Sequence, residues 1–237
     1  MSVIFDKAKH IYYNDWTNEI YISATQLLSK FKKPFNRHQI SLAVAKREGV
    51  SQQEILDKWD KIKDDACIKG NHLHDALEQY IRYGTVNDDY NWAYDSLEDN
   101  IINITEGTYV YKHSEKLLYN DEFKIAGTTD LLIDCGDEFC VLDFKTNKKL
   151  STSNKYSEYL LYPLDFIQYC EYNVYALQLS LYAYMHEKET NKRVKSMRIL
   201  YQQDNKLVPY YVPYMKLEVR AMLNHYIKTK YDNSKSK

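Results

Sequence analysis

Along residues 127–146 two apolar runs flank a short polar turn, and charged positions recur at fixed steps within them. Gly136-Asp137 between such runs predicts a two-residue β-hairpin turn. Folding the chain there sets Asp130 directly opposite Asp143, because each is the same number of residues from the turn. Residues i and i+2 of a strand share a face, so Lys145 projects beside Asp143. Upstream, Ile55, Trp59, Ile62, Ala66, Leu73, Leu77 and Tyr80 recur with helical spacing. Ser51 predicts the cap of that long helix, and Gly84 its stop near Tyr83. His74 and Glu78 stand one turn apart on the border of the apolar stripe. Gly70 falls on the stripe, where a glycine permits close approach of another backbone.

The rest of the pattern predicts a mixed α/β chain. A short hairpin is expected over 10–23 around Asn14 and Asn18, then short helices near 25–31 and 36–47, broken at Pro34. A further helix is expected at 89–101, and strands at 108–118, 123–134 and 138–145. Residues 146–170 read as a polar, tyrosine-rich connection, a candidate mobile loop. A helix near 171–189 turns Val174, Leu177, Leu181 and Met185 inward, with Gln178 and Tyr182 one turn apart on its flank. Strands at 195–203 and 206–212, a helix at 214–230 and a disordered tail from Asp232 complete the reading.

The charged positions carry the chemistry. Two close carboxylates repel unless a cation sits between them. A hard divalent metal is the natural occupant, and oxygen ligands suit Mg²⁺ or Mn²⁺. The Asp/Glu-x-Lys triplet occurs at Glu122-Phe-Lys124, Asp143-Phe-Lys145 and Asp204-Asn-Lys206. Only the middle one follows an apolar run and faces a cross-strand aspartate; the last reads as a polar turn. A surface hairpin with a salt bridge is the alternative for Asp143 and Lys145. A partly buried structural histidine is the alternative for His74, and a hydrogen bond across a helix surface for Gln178 and Tyr182.

In order, Gly70-x-x-x-His74-x-x-x-Glu78, Gly127-x-x-Asp130, Asp143-x-Lys145-Thr146 and Gln178-x-x-x-Tyr182 resemble the PD-(D/E)XK nuclease superfamily. The likeness is to its RecB-like branch, which includes phage exonucleases, and it spans roughly residues 20–190. The run from Tyr21 to Phe35, with Ser23 and Thr25, looks like the start of phage-borne members. The resemblance implies a restriction-endonuclease-like α/β core: helix, three-stranded antiparallel sheet, helix, further strand. It implies an N-terminal hairpin and helical elaboration over 1–50, a nuclease core over 51–231 and a tail over 232–237. Asp130, Asp143 and the Phe144 carbonyl would bind the metal, with His74 as a further ligand. Lys145 would orient or help deprotonate the attacking water. Gln178 and Tyr182 would contact the scissile phosphate, and Thr146 would donate to a phosphate. Glu78 would orient His74 from behind, and Glu115 is another acidic contributor or a solvated residue. Relatives with an iron–sulfur cluster carry a tight cysteine trio; Cys67, Cys135, Cys140 and Cys170 form none, so no cluster is expected.

Composition changes the picture little. The 237 residues are 44% hydrophobic, enough for a substantial core, and their net charge is −1. A nuclease then needs a local basic track. Lys148, Lys149 and Lys155, continuing from Lys145, form the favoured one. Lys30, Lys32, Lys33 and Arg37 form another, and Lys188, Lys192, Arg193, Lys195 and Arg198 read as a solvated surface. Phe31 and Phe35 are base-stacking candidates or core anchors. No apolar run suits a membrane span and no signal peptide is evident, so a cytoplasmic protein of a bacterial or phage-infected cell is expected. The function expected is a metal-dependent DNA exonuclease leaving 5′-phosphates, in recombination, repair or replication. An annealing protein, helicase or single-strand-binding protein is a candidate partner. An endonuclease of the same fold and a catalytically silent DNA-end-binding protein are the alternatives.

Overall fold

The computed structural model describes residues 3–235. Strands β1 (Val3–Asp6), β2 (Ile11–Asn14) and β3 (Ile20–Ser23) lead into helices α1 (Ala24–Ser29), α2 (Arg37–Glu48), α3 (Gln52–Tyr83) and α4 (Asn91–Thr105). Strands β4 (Tyr111–Asn120), β5 (Ile125–Asp134) and β6 (Glu138–Lys145) follow. Helix α5 (Glu171–Thr190), strands β7 (Arg193–Gln203) and β8 (Lys206–Tyr211), and helix α6 (Lys216–Lys235) close the chain.

One sheet carries all eight strands, in the order β1-β2-β3-β5-β6-β7-β8, with β4 paired to β5. The hairpin register is the one counted from the sequence: Leu131 pairs Leu142 and Asp134 pairs Phe139. β6 is buried on both faces, as a strand inside a two-sided layer must be. Phe139 and Val141 join a core with α1, α5 and α6. Cys140, Leu142 and Phe144 join a second core with α3 and α4.

The feature that shapes the molecule is a fork along β5. On one edge β4 pairs with it from Tyr111 to Asn120. On the other, β6 pairs with residues 131–134, while β3 runs parallel at Ile125 and Ala126. Between them Gly127, Thr128, Thr129 and Asp130 have no strand on that edge among the described residues. The ring of Tyr182 fills the gap: a Cβ on Gly127 would lie 2.6 Å from its Cε1.

Four expectations are corrected. β1 was not expected; Val3 and Phe5 pair with β2 and pack with Tyr12 and Tyr119. Ile62 and Ala66 are exposed rather than buried, because α3 packs on α2 at its start and on the sheet at its end, leaving its middle spanning open space. Tyr182 is buried rather than on a flank, since α5 is enclosed by β5, β6, β7, α1 and α6. Helix α6 continues through Lys235, past the expected tail start at Asp232, with no glycine or proline after Pro213 to stop it. Residues 236 and 237 lie outside the described residues. No helix among the described residues is long and apolar enough to cross a membrane.

Candidate metal centre

Asp130 lies at the mouth of the fork. Its Oδ2 accepts the Phe144 N–H at 2.7 Å, and its Oδ1 lies 3.5 Å from His74 Nδ1. His74 Nε2 is 3.1 Å from the Phe144 carbonyl oxygen. With both ring nitrogens facing acceptors, His74 suits the doubly protonated form. Burial opposes that charge, but the Asp130 carboxylate, with help from Asp143, outweighs it and lifts His74 to about 9. Asp130 is correspondingly held below the ordinary carboxylate range, against the effect of burial.

Glu115 is the residue that sequence reading placed outside the ligand set and that geometry brings in. β4 pairs Ser114 with Leu131 and Lys116 with Thr129, so Glu115 stands across from Asp130. Its φ of 49° is in the left-handed region, which a glutamate in a strand rarely adopts. The ladder opens at this one pair. One ligand atom each from His74, Glu115 and Asp130 lie within 4.8 Å of one another. Burial, then the charges of Asp130 and Glu78, push the Glu115 carboxyl up to about 7. The signal was available: Asn120 pairs with Ile125, and counting back from that turn by equal steps sets Glu115 against Asp130.

Asp143 and Lys145 share one face of β6, as i and i+2 must. Asp143 is 2% exposed and ion-paired to the Lys145 ammonium. Burial and the Asp130 charge raise its carboxyl above the ordinary range, against the pull of Lys145. Lys145 is itself desolvated, yet the two aspartates hold its proton firmly. It is therefore held in its charged form. Its Nζ lies over the Tyr175 ring, 4.7 Å from the centroid.

A cleft of about 540 Å³ opens on this cluster, lined among others by Gly70, His74, Glu115, Lys145 and Thr146. Lys7 and Lys63, which sequence reading did not single out, also line it. Gly70 meets a side chain rather than a backbone: a Cβ there would be 3.0 Å from Thr146 Oγ1. Glu78 lines the cleft but is held by Arg82 Nε at 3.0 Å, so Asp130 and Phe144 orient His74.

The remaining predicted residues scatter. Gln178 Nε2 donates to the Tyr182 hydroxyl at 3.0 Å; the ring of Tyr182 is buried and positions Gln178. Ser23 is buried and its hydroxyl caps α1 through Gln26 and meets Thr25. Thr25 is exposed. Phe31 is core, while Phe35 is exposed, its ring 6.1 Å from that of Trp59. Lys148, Lys149 and Lys155 are exposed beyond the end of β6. Lys192 and Arg193 are tied to Asp134 and Glu138, and Arg198 is buried beside Asn103. Of the four free cysteines, Cys140 and Cys170 are buried, while Cys67 is exposed and Cys135 intermediate.

No family model matches the chain, and no curated protein sequence matches it. Two solved structures are similar over 88% of this chain. One is that of SSO0001, at 15% identity, 75% coverage of that chain and a TM-score of 0.40. The other, from Eubacterium rectale, is named "Putative exonuclease", at 13% identity, 79% coverage and a TM-score of 0.40.

Proposed function

We propose that this chain is a divalent-metal-dependent DNA exonuclease of the PD-(D/E)XK superfamily, RecB-like branch. The observation that carries the reading is the trio of His74, Glu115 and Asp130, gathered in a cleft beside the buried Asp143–Lys145 pair.

The donor set fits a hard cation. It offers two carboxylates and one imidazole, and Glu115 is pushed up first by burial and then by the neighbouring charges of Asp130 and Glu78, which a cation would offset. His74, Glu115 and Asp130 would hold Mg²⁺ or Mn²⁺, with Asp143 completing the acidic surroundings. When bound, the ion would lower the pKa of a coordinated water and draw charge from a phosphoryl oxygen. His74 would give up its proton on taking the role of ligand.

The chain's own groups do the rest. Lys145, kept charged by Asp143, stabilises the negative charge that develops on phosphorus as the nucleophile attacks. Gln178, hydrogen-bonded to Tyr182, would supply an amide to the scissile phosphate. Thr146 offers a hydroxyl to the phosphate at the cleft wall. The leaving group departs as a 3′-hydroxyl and the new end carries a 5′-phosphate. Residues 1–50 would form a DNA-contacting elaboration on a core of 51–231. Recombination, repair or replication in a bacterial or phage-infected cytoplasm is the proposed setting, with an annealing protein, helicase or single-strand-binding protein as partner.

The test incubates the protein and its Lys145→Ala variant with end-labelled linear duplex, single strand and closed circle, in Mg²⁺, Mn²⁺ or EDTA. Loss of linear DNA alone, abolished by EDTA and by the substitution, is expected. Nicking of the circle would replace the exonuclease with an endonuclease. Absence of cleavage in every condition would sink the enzyme reading and leave a DNA-end-binding protein.

A further inference from the structure

The metal cleft shares Tyr175 with a second, smaller pocket of about 270 Å³. Lys32 forms part of its wall, with Ser151, Asn154 and Glu171. The neighbouring Lys30 and Lys33 are exposed, but Lys32 is half-buried. It follows Phe31, which is sunk in the core and whose carbonyl accepts the Leu161 N–H at 2.8 Å. That clasp brings the Lys32 position against the loop of residues 151–171.

Lys32 has lost water. Burial pushes its ammonium below the ordinary lysine range, and among the described residues no ion pair offsets it. Glu171 is the acid of the same pocket, but the Ser151 N–H, at 2.9 Å, and the Ser151 hydroxyl both donate to it. Asn154 is likewise engaged, donating to the Tyr169 carbonyl at 2.8 Å. A desolvated cation without a partner is unfavourable, and an anion from outside relieves it.

Lys145 and Lys32 thus line two pockets that meet at Tyr175. Lys145 lies over the Tyr175 ring at 4.7 Å. A lysine in each of two pockets that meet at an aromatic residue offers two phosphate contacts with a base-stacking surface beside them.

We propose that Lys32 binds a second backbone phosphate of the nucleic-acid substrate, beyond Tyr175 from the scissile phosphate in the metal cleft. This rests on the nuclease reading and adds to it a substrate subsite.

The experiment measures binding of a fluorescent oligothymidylate to the full chain in EDTA over a range of salt, so that cleavage plays no part. Lys32→Gln should weaken binding about tenfold and lower the salt slope by about one. Lys32→Arg should restore both, and Lys33→Gln should change neither. With Mn²⁺, Lys32→Gln should raise KM for the oligonucleotide while leaving hydrolysis of bis(p-nitrophenyl) phosphate intact. The subsite is refuted if the Lys32 and Lys33 variants behave alike. It is equally refuted if the small diester slows as much as the oligonucleotide. Strong binding that ignores Lys32 removes the subsite and leaves the nuclease reading standing. Failure of the wild-type chain both to bind and to cleave removes both.

Discussion

Gly127 is a glycine because a side chain there has no space. A Cβ would lie 2.6 Å from Tyr182 Cε1 and 3.2 Å from the Ala24 methyl. Gly127→Ala should therefore destabilise the fold by about 1–3 kcal/mol, as overpacking does. Displacing Tyr182 should also move Gln178 and lower turnover. Thermal unfolding checks the first effect; an alanine variant as stable as wild type would mean that the ring can swing aside. Asp130 has a different role at the same place. It joins His74 to the Phe144 N–H, and its charge attracts the His74 imidazolium while repelling Glu115. Asp130→Asn keeps the shape and removes the charge. Metal at about 100 times its Kd should stabilise the wild type by about 2.7 kcal/mol. In the variant, the Tm should not respond to Mn²⁺. An equal response in both proteins would place the ion elsewhere.

Among the elements, the fork of β5 matters most, because it turns strand pairing into a cleft. A continuous sheet would bury Asp130 between neighbours; divergence of β3 and β6 leaves its edge open to His74 from α3. The opposite end of the sheet is closed by a latch. Asn100 of α4 donates to the Leu207 carbonyl at 3.0 Å, and Ser96 accepts the Leu207 N–H at 2.9 Å. These bonds satisfy the β8 backbone at a sheet edge, where Pro209 removes one donor. Asn100→Ala should destabilise the protein by about 0.5–1.5 kcal/mol, since the Leu207 carbonyl keeps only the longer bond from the Ser96 hydroxyl at 3.3 Å. Metal affinity should be unchanged, because the latch lies away from the fork. Urea denaturation with and without Mn²⁺ separates the two; a parallel loss of metal binding would show that the layers are coupled.

At the scale of the whole molecule, His186 is one source of the acid limb of stability, beside lowered carboxyls such as Asp130 and Asp134. It is buried on α5 with its ring against Phe139, and neither nitrogen has a hydrogen-bond partner among the described residues. Burial first, then Lys116, Lys192 and His113, hold it down at about 4, against a smaller opposing pull from Asp134. The folded protein keeps it neutral while the unfolded chain takes up the proton below about 6.5. The unfolded state thus binds more protons at this group between those values, so the contribution of His186 falls as pH drops from about 6.5 to about 4, opposed by Glu115 and Asp143, whose raised carboxyls act the other way. The full effect is on the order of 3 kcal/mol. His186→Leu should flatten that limb in pH-dependent denaturation. An unchanged slope would assign the limb to other groups.

The sequence by itself determined the elements whose pattern is local. Ser51 and Gly84 bound α3, the Gly136-Asp137 turn sets the register, and counting residues aligned Asp130, Asp143 and Lys145 on one face. The reason is that caps, turns and strand alternation depend on neighbours in the chain. Tertiary structure alone decided the rest. The fork depends on β3 arriving at β5 from a hundred residues away in sequence. Glu115 enters the trio only once its backbone turns left-handed against Asp130. Tyr182 is buried because α5 is enclosed on nearly every side, which leaves no polar flank for periodicity to reveal. Lys32 loses its water only where a distant loop folds over it. Burial and long-range contact fix these outcomes, and neither is a property of a residue's neighbours in sequence.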